Sequence, residues 1–137
     1  PQVTYRESIE GKATHTETYH RVIAGKDNDA QITIEVFARE RGTGNHFESA
    51  LRADALPAPL AEAVRRGIEG AFNSGIVYGY PAFDVGVKLV GAKYNENTGT
   101  EFAYEAAASL GFDNACRAAS PVLLQPIMKV DVMSLKE

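Results

Sequence analysis

The hydrophobic period of this chain changes near Pro57, and only a mixed fold accommodates both halves. Before that point apolar residues recur every second position, the repeat of a half-buried strand. Residues 3–9 carry Val3, Tyr5, Glu7 and Ile9 against polar neighbours. Residues 13–23 are rich in β-branched and aromatic side chains, which suit a pleated surface. Ala24 to Asp29 has turn composition, and residues 31–38 set Ile32, Ile34, Val36 and Ala38 on one face. These three runs predict an antiparallel meander. Gly42-Thr43-Gly44 predicts a turn, and Phe47 to Leu51 a short extra strand.

After Pro57 the period becomes helical. Leu60, Val64, Ile68, Ala71 and Phe72 form one stripe, with Pro57 suited to the first turn and Gly75 to the stop. Gly67 and Gly70 lower helix propensity and so predict close packing. Residues 82–90 alternate Phe83, Val85, Val87 and Leu89, a core-facing strand, and a polar loop runs from Gly91 to Gly99. Thr98 and Glu101 have capping-box spacing. The helix they open carries Ala103, Ala106, Ala107 and Leu110, stays alanine-rich to Ala119, and ends at Ser120-Pro121. Residues 122–124 and 127–133 read as extended. The element order is β-β-β-α-β-α-β, an α+β class with no repeats and no internal linker.

Composition narrows the function. At 137 residues the chain is one domain, long enough to bury roughly two-thirds of its unfolded surface. Its net charge of −4 excludes a broadly basic nucleic-acid surface, though not a local basic patch. One cysteine excludes an intramolecular disulfide framework. No apolar run reaches the roughly 20 residues of a membrane span, and residues 1–10 lack the apolar centre of a signal peptide. A cytoplasmic location is expected. The chain opens at Pro1 and closes just after a strand-like run, so it reads as a piece of a longer protein.

The chemistry-bearing residues argue against an enzyme. Gly42-x-Gly44 lacks a third glycine and precedes a strand, so it is a hairpin rather than a dinucleotide fingerprint. No GxxxxGK[ST] run exists to cradle a nucleotide phosphate. His15 and His20 point to opposite faces of their strand and His46 falls in a turn, so no metal set forms. Cys116 lies among alanines as a buried, inert thiol without an identifiable histidine. Asp84, between Phe83 and Val85, is a candidate base, set against an exposed strand face or a cap contact as the ordinary readings. No catalytic constellation emerges.

Two polar loops remain, residues 24–30 and 91–99, and this element order allows both to project from one end. Such a pair is either a binding surface or two solvated turns. Lys26 faces Asp27 and Asp29 in the first, for a net −1, and Lys93 balances Glu96 in the second. Tyr94 either stacks on a base or simply ends its strand.

Several ordered segments resemble domain IV of bacterial elongation factor G. They are residues 1–9; Ile34-Glu35-Val36 with Arg41-Gly42-Thr43-Gly44; and Phe47, Ala50, Pro57, Ala63-Val64, Gly67-Ile68 and Ser74-Gly75. Gly79-Tyr80-Pro81 through Asp84-Val85 follows, then the run from Ser120 to Val132. They follow family order over essentially the whole chain. The resemblance implies a ribosomal-protein-like β-β-β-α-β-α fold with three antiparallel strands, a left-handed βαβ crossover and both helices on one sheet face. It implies that residues 1–10 come in from the preceding domain junction, that residues 11–121 form the domain, and that 122–137 open a truncated domain V. The last strand, Ile127 to Val132, would then expose an unpaired edge. Association through 127–133 would be its hazard, in an otherwise monomeric fragment.

The same resemblance implies a parent GTPase that drives tRNA and mRNA translocation, with GTP and magnesium in a separate domain and no cofactor here. Its partners would be the ribosome's small-subunit decoding region and the tRNA–mRNA duplex. The family's tip loops correspond to residues 22–31 and 91–99. Lys26, Asn28, Lys93, Tyr94 and Asn95 become the candidate RNA contacts, with no catalytic and no metal residue. The tip departs from the family. A glycine-rich loop with an arginine is reduced to Gly25 and Lys26, a Tyr-His pair is Tyr94-Asn95, and a Gly-Gly pair is Ala53-Asp54. Carboxylates near phosphate are repulsive, which keeps open a non-translocating relative acting in recycling, rescue or tetracycline-type ribosome protection. A stand-alone protein-interaction domain on the same fold is the third reading.

Overall fold

A computed structural model describes residues 5–125. Its elements are β1 (Arg6–Ile9), β2 (Lys12–Ile23), β3 (Lys26–Ala38), β4 (His46–Ser49), α1 (Ala58–Ser74), β5 (Val85–Lys93), α2 (Glu101–Arg117) and β6 (Pro121–Leu124). The final run at 127–133, with its expected open edge, lies outside the described residues.

β2, β3, β5 and β4 form one sheet in that order, with β4 parallel to β5 and the other pairs antiparallel. The β4–α1–β5 connection is therefore a parallel crossover. The expected meander of three consecutive strands is corrected: β1 leaves the sheet and pairs with β6, Arg6 opposite Leu124 and Ile9 opposite Pro121. Alternation marks β1 as a strand but carries no information about its partner. His46 is likewise the first residue of a strand rather than part of a turn.

One sheet face is the core. Ile32, Ile34, Val36, Val85, Val87 and Leu89 are wholly buried on it, each contributing about 1.5–3 kcal/mol of transfer free energy. Both helices cover that face. α1 buries Leu60, Ala63, Val64, Gly67, Ile68, Ala71 and Phe72, the stripe its spacing predicts. Of its two glycines only Gly67 makes a close approach: a Cβ there would lie 2.8 Å from Ala108 Cβ, while Gly70 faces open space. Phe72 meets Phe112 edge-on at 5.3 Å between ring centroids, joining the helices. In α2 the buried stripe includes Tyr104 and Phe112, whereas Leu110 is exposed. The α2 N-cap is Thr100, not Thr98: Thr100 Oγ1 accepts from Ala103 N–H at 3.1 Å.

Two buried carboxylates organise the base of the domain, where β1 and β6 pair. Glu7 is fully buried and accepts from three successive backbone N–H groups, those of Ile76, Val77 and Tyr78. Its own backbone bonds Pro81 O and Phe83 N–H at 2.9 and 2.7 Å, which clamps β1 to the segment leading into β5. Asp84 is also fully buried, correcting the exposed-face alternative. Its carboxylate accepts from Gly42 N–H at 3.0 Å and Gly44 N–H at 2.8 Å, and so anchors the Gly42-Thr43-Gly44 turn.

Candidate nucleic-acid interface

At the end of the domain away from the Glu7 clamp, the β2–β3 hairpin outruns its neighbour. β5 pairs with β3 only from Gln31 to Ala38, whereas β2 pairs with β3 up to Ile23 opposite Lys26. The connection is two residues, Ala24 and Gly25, at φ values of 52° and 78°. Positive φ at both central positions is what a tight hairpin with the right-handed twist of its strands requires. The expected loop over residues 24–30 is thus mostly strand, and the protrusion is a two-stranded finger.

The second loop, from Tyr94 to Thr100, folds back along this finger. Asn95 organises it, its side-chain Oδ1 accepting from Asn97 N–H at 2.8 Å and its backbone O from Gly99 N–H at 2.7 Å. Two hydrogen bonds then tie loop to finger. Asp29 N–H donates to Thr98 O at 2.8 Å, and Thr100 Oγ1–H donates to Asn28 Oδ1 at 2.8 Å. Thr100 therefore caps α2 and pins the tip with one hydroxyl. The two segments that sequence reasoning paired sit side by side as one surface.

The five candidate contacts divide across that surface. Lys93, Tyr94 and Asn95 are exposed and line a cavity of about 280 Å³, together with Thr18, His20 and Asp29. Lys26 is exposed on a second, larger concavity with Asp27, Glu96, Asn97 and Phe102. Asn28 is buried, and its amide is committed within the tip, Nδ2 donating to Lys26 O at 3.1 Å. It holds the finger to the loop rather than presenting a free donor to solvent. Tyr94 leans on Gly99, where a Cβ would come within 2.9 Å of its ring, and remains 42% exposed, so its ring offers a stacking face. Tyr104 beneath it donates its hydroxyl to Lys93 O, and burial pushes its phenol up to about 12.

Sequence reasoning missed His20 and Asp29. They are directly opposite in the β2–β3 register and bonded through His20 Nδ1 and Asp29 Oδ1. The hydrogen bond and charge of Asp29 raise the imidazole above its ordinary value, and the His20 bond lowers the Asp29 carboxyl. A two-residue turn at Ala24-Gly25 is the signal that pairs them; reading residues 24–29 as loop concealed it. The same reading passed over Val22, Ile23 and Phe102, all exposed near the tip.

Elsewhere the chemistry is structural. Burial drives the Cys116 thiol well above the usual range. Among the described residues no cluster of three His, Cys, Asp or Glu side chains is arranged to hold a metal ion, and no helix is long and apolar enough to cross a membrane.

Comparison with known proteins follows the same outline. The family described as elongation factor G, domain IV, matches residues 1–120. Over its whole length the chain is 55% identical to Elongation factor G 1 of Treponema denticola, of which it covers 21%. It is 43% identical, again over its whole length, to Elongation factor G 2 of Treponema pallidum, also covering 21% of that protein. A crystal structure from Thermus thermophilus matches with a TM-score of 0.81 at 26% identity, over 90% of this chain and 18% of that one. The chain therefore spans about a fifth of the length of the curated relatives it matches.

Proposed function

The chain belongs to the elongation factor G domain IV family, and on that premise we propose that it is the ribosome-inserting part of a translational GTPase that promotes movement of tRNA and mRNA. The observation that carries this reading is the 55% identity, sustained across the whole chain, to a protein named as an elongation factor G. In this reading residues 1–10 lead in from a preceding domain, 11–121 are the working body, and 122–137 open the next domain. GTP and magnesium would belong to another part of the polypeptide, since this chain has no GxxxxGK[ST] loop that fits a nucleotide.

The tip would do the work by position and charge. A two-stranded finger braced by a second loop reaches into a narrow site with little conformational entropy left to lose. Lys26 and Lys93 would meet phosphates, Tyr94 would stack on a base, and Asn95 would supply hydrogen bonds. Asn28 would act by holding Lys26 and the Thr100 cap in register. The partners in this reading are the small-subunit decoding region and the tRNA–mRNA duplex, met in the cytoplasm.

Toeprinting of one mRNA step on pre-translocation ribosomes, with GTP and the full-length protein carrying this chain, tests it. A codon-length shift is expected. Ribosome-stimulated GTP hydrolysis without any shift would replace translocation by a recycling, rescue or protection role. The tip favours that second reading in one respect, because Asp27, Asp29 and Asn95 stand where a glycine-rich, histidine-bearing tip would bind RNA more readily.

A further inference from the structure

The cavity beside Tyr94 contains a titratable group that none of the roles above uses. Its walls include His20 from β2, Asp29 and Gln31 from β3, Lys93 from the end of β5, and Tyr94 and Asn95 from the loop. The His20 side chain is 61% exposed, and its Nδ1 is engaged by Asp29. That bond fixes the ring's orientation and, among the described residues, leaves Nε2 with no protein partner. A positioned imidazolium would thus offer one N–H to the space that Lys93 and Tyr94 also border.

We infer that His20 is a further RNA contact of this domain, a protonation-dependent cation that Asp29 orients and that donates from Nε2 to a phosphate oxygen held between His20 and Lys93, with the adjoining base against Tyr94. This rests on the proposal that the tip faces RNA, and adds to it a contact that switches with pH. The charge balance gives the contact its value. Residues 24–30 carry a net −1, with Asp27 and Asp29 against Lys26, and a neutral His20 leaves that deficit beside the phosphate. Protonation cancels it, so the approach of RNA and the protonation of His20 favour each other. The other ionisable side chains around His20 are Asp27, which favours its protonation, Lys93, a like charge that opposes it, and the phenols of Tyr19, Tyr94 and Tyr104 on the same cavity.

The test uses the full-length protein carrying this chain and 70S ribosomes, with affinity measured from pH 6.0 to 8.5 at several salt concentrations. Wild-type binding is expected to weaken as pH rises. At pH 6.0, His20→Gln should bind roughly three- to tenfold more weakly than wild type, the scale of one charge-assisted contact at an exposed site. The two should converge by pH 8.5. At pH 6.0 the salt dependence of the variant should be shallower by about one phosphate contact, a readout that a merely structural role would not move. Asp29→Asn, which keeps the backbone bond to Thr98, should shift the midpoint of the pH profile downward. Lys93→Ala and Tyr94→Ala separate the two layers of the argument. If they weaken binding while His20→Gln keeps the wild-type pH profile, the inference about His20 is wrong and the RNA-facing tip stands. If none of them changes affinity, the RNA-facing reading itself fails.

Discussion

Carboxylates serve opposite purposes at the two ends of this domain. At the base, Glu7 and Asp84 are completely buried and each gathers backbone N–H groups from a loop distant in sequence. At the tip, Asp27 and Glu96 are exposed, and the half-exposed Asp29 spends its charge on His20. Burial explains the contrast. A carboxylate removed from water must be fully satisfied and then becomes a rigid anchor, whereas an exposed one remains available to charge and pH. The domain is therefore locked where β1 and β6 pair and adjustable where a partner would meet it.

The largest test of this contrast is at the base. Glu7→Ala would leave three N–H groups of residues 76–78 without their acceptor and should cost about 3–5 kcal/mol in urea unfolding. Asp84→Ala, with two donors orphaned, should follow at roughly 2–3 kcal/mol. Losses under about 0.5 kcal/mol, as at ordinary surface sites, would erase the distinction between the ends.

A tip substitution should act locally and less strongly. Thr100→Val removes the α2 cap and the bond to Asn28, for an expected loss of about 1–2 kcal/mol. Hydrogen exchange should quicken at the amides of Asp29 and Ala103 while those of Gly44 and Ile76 keep their protection. Quickening at all four would mean that the two ends open together.

The pH dependence follows from the His20–Asp29 pair. Folding raises the imidazole above its ordinary 6.5, so its contribution is fully present below that value and is lost as pH rises through the raised one. Folding lowers the Asp29 carboxyl below its ordinary 3.8, so its contribution is present above that value and is lost as pH falls through the lowered one. The difference in Tm between wild type and His20→Gln should therefore be greatest below His20's ordinary 6.5 and shrink as pH rises through the raised value. Because the pair is exposed, the difference should be small throughout. A gap that does not change with pH would assign His20 a packing role instead.

Smallest of all, Ala24→Gly should stabilise the hairpin by up to about 1 kcal/mol, since Ala24 carries a Cβ at a φ of 52°. Thermal unfolding with no gain would indicate that the unfolded chain's added freedom cancels the relief.

Local periodicity determined most of the elements. The stripe from Leu60 to Phe72 and the alternation of Ile32, Ile34 and Val36 each specify a burial face, because helix and strand geometry are properties of a few consecutive residues. The paired tip segments were legible too, through the order of elements and the polar composition of residues 24–30 and 91–99. What periodicity cannot carry is the identity of a distant partner. That β1 abandons the sheet for β6, that Asp84 is buried under Gly42 and Gly44, and that Asn28 turns inward to Thr100 are all decided by tertiary packing. The His20–Asp29 pair lies between these cases. Its register was implicit in a two-residue turn, yet only the folded hairpin brought the imidazole, Lys93 and Tyr94 to one cavity. Backbone preferences act between neighbours, whereas the satisfaction of a buried charge or the walls of a site depend on residues that folding alone brings together.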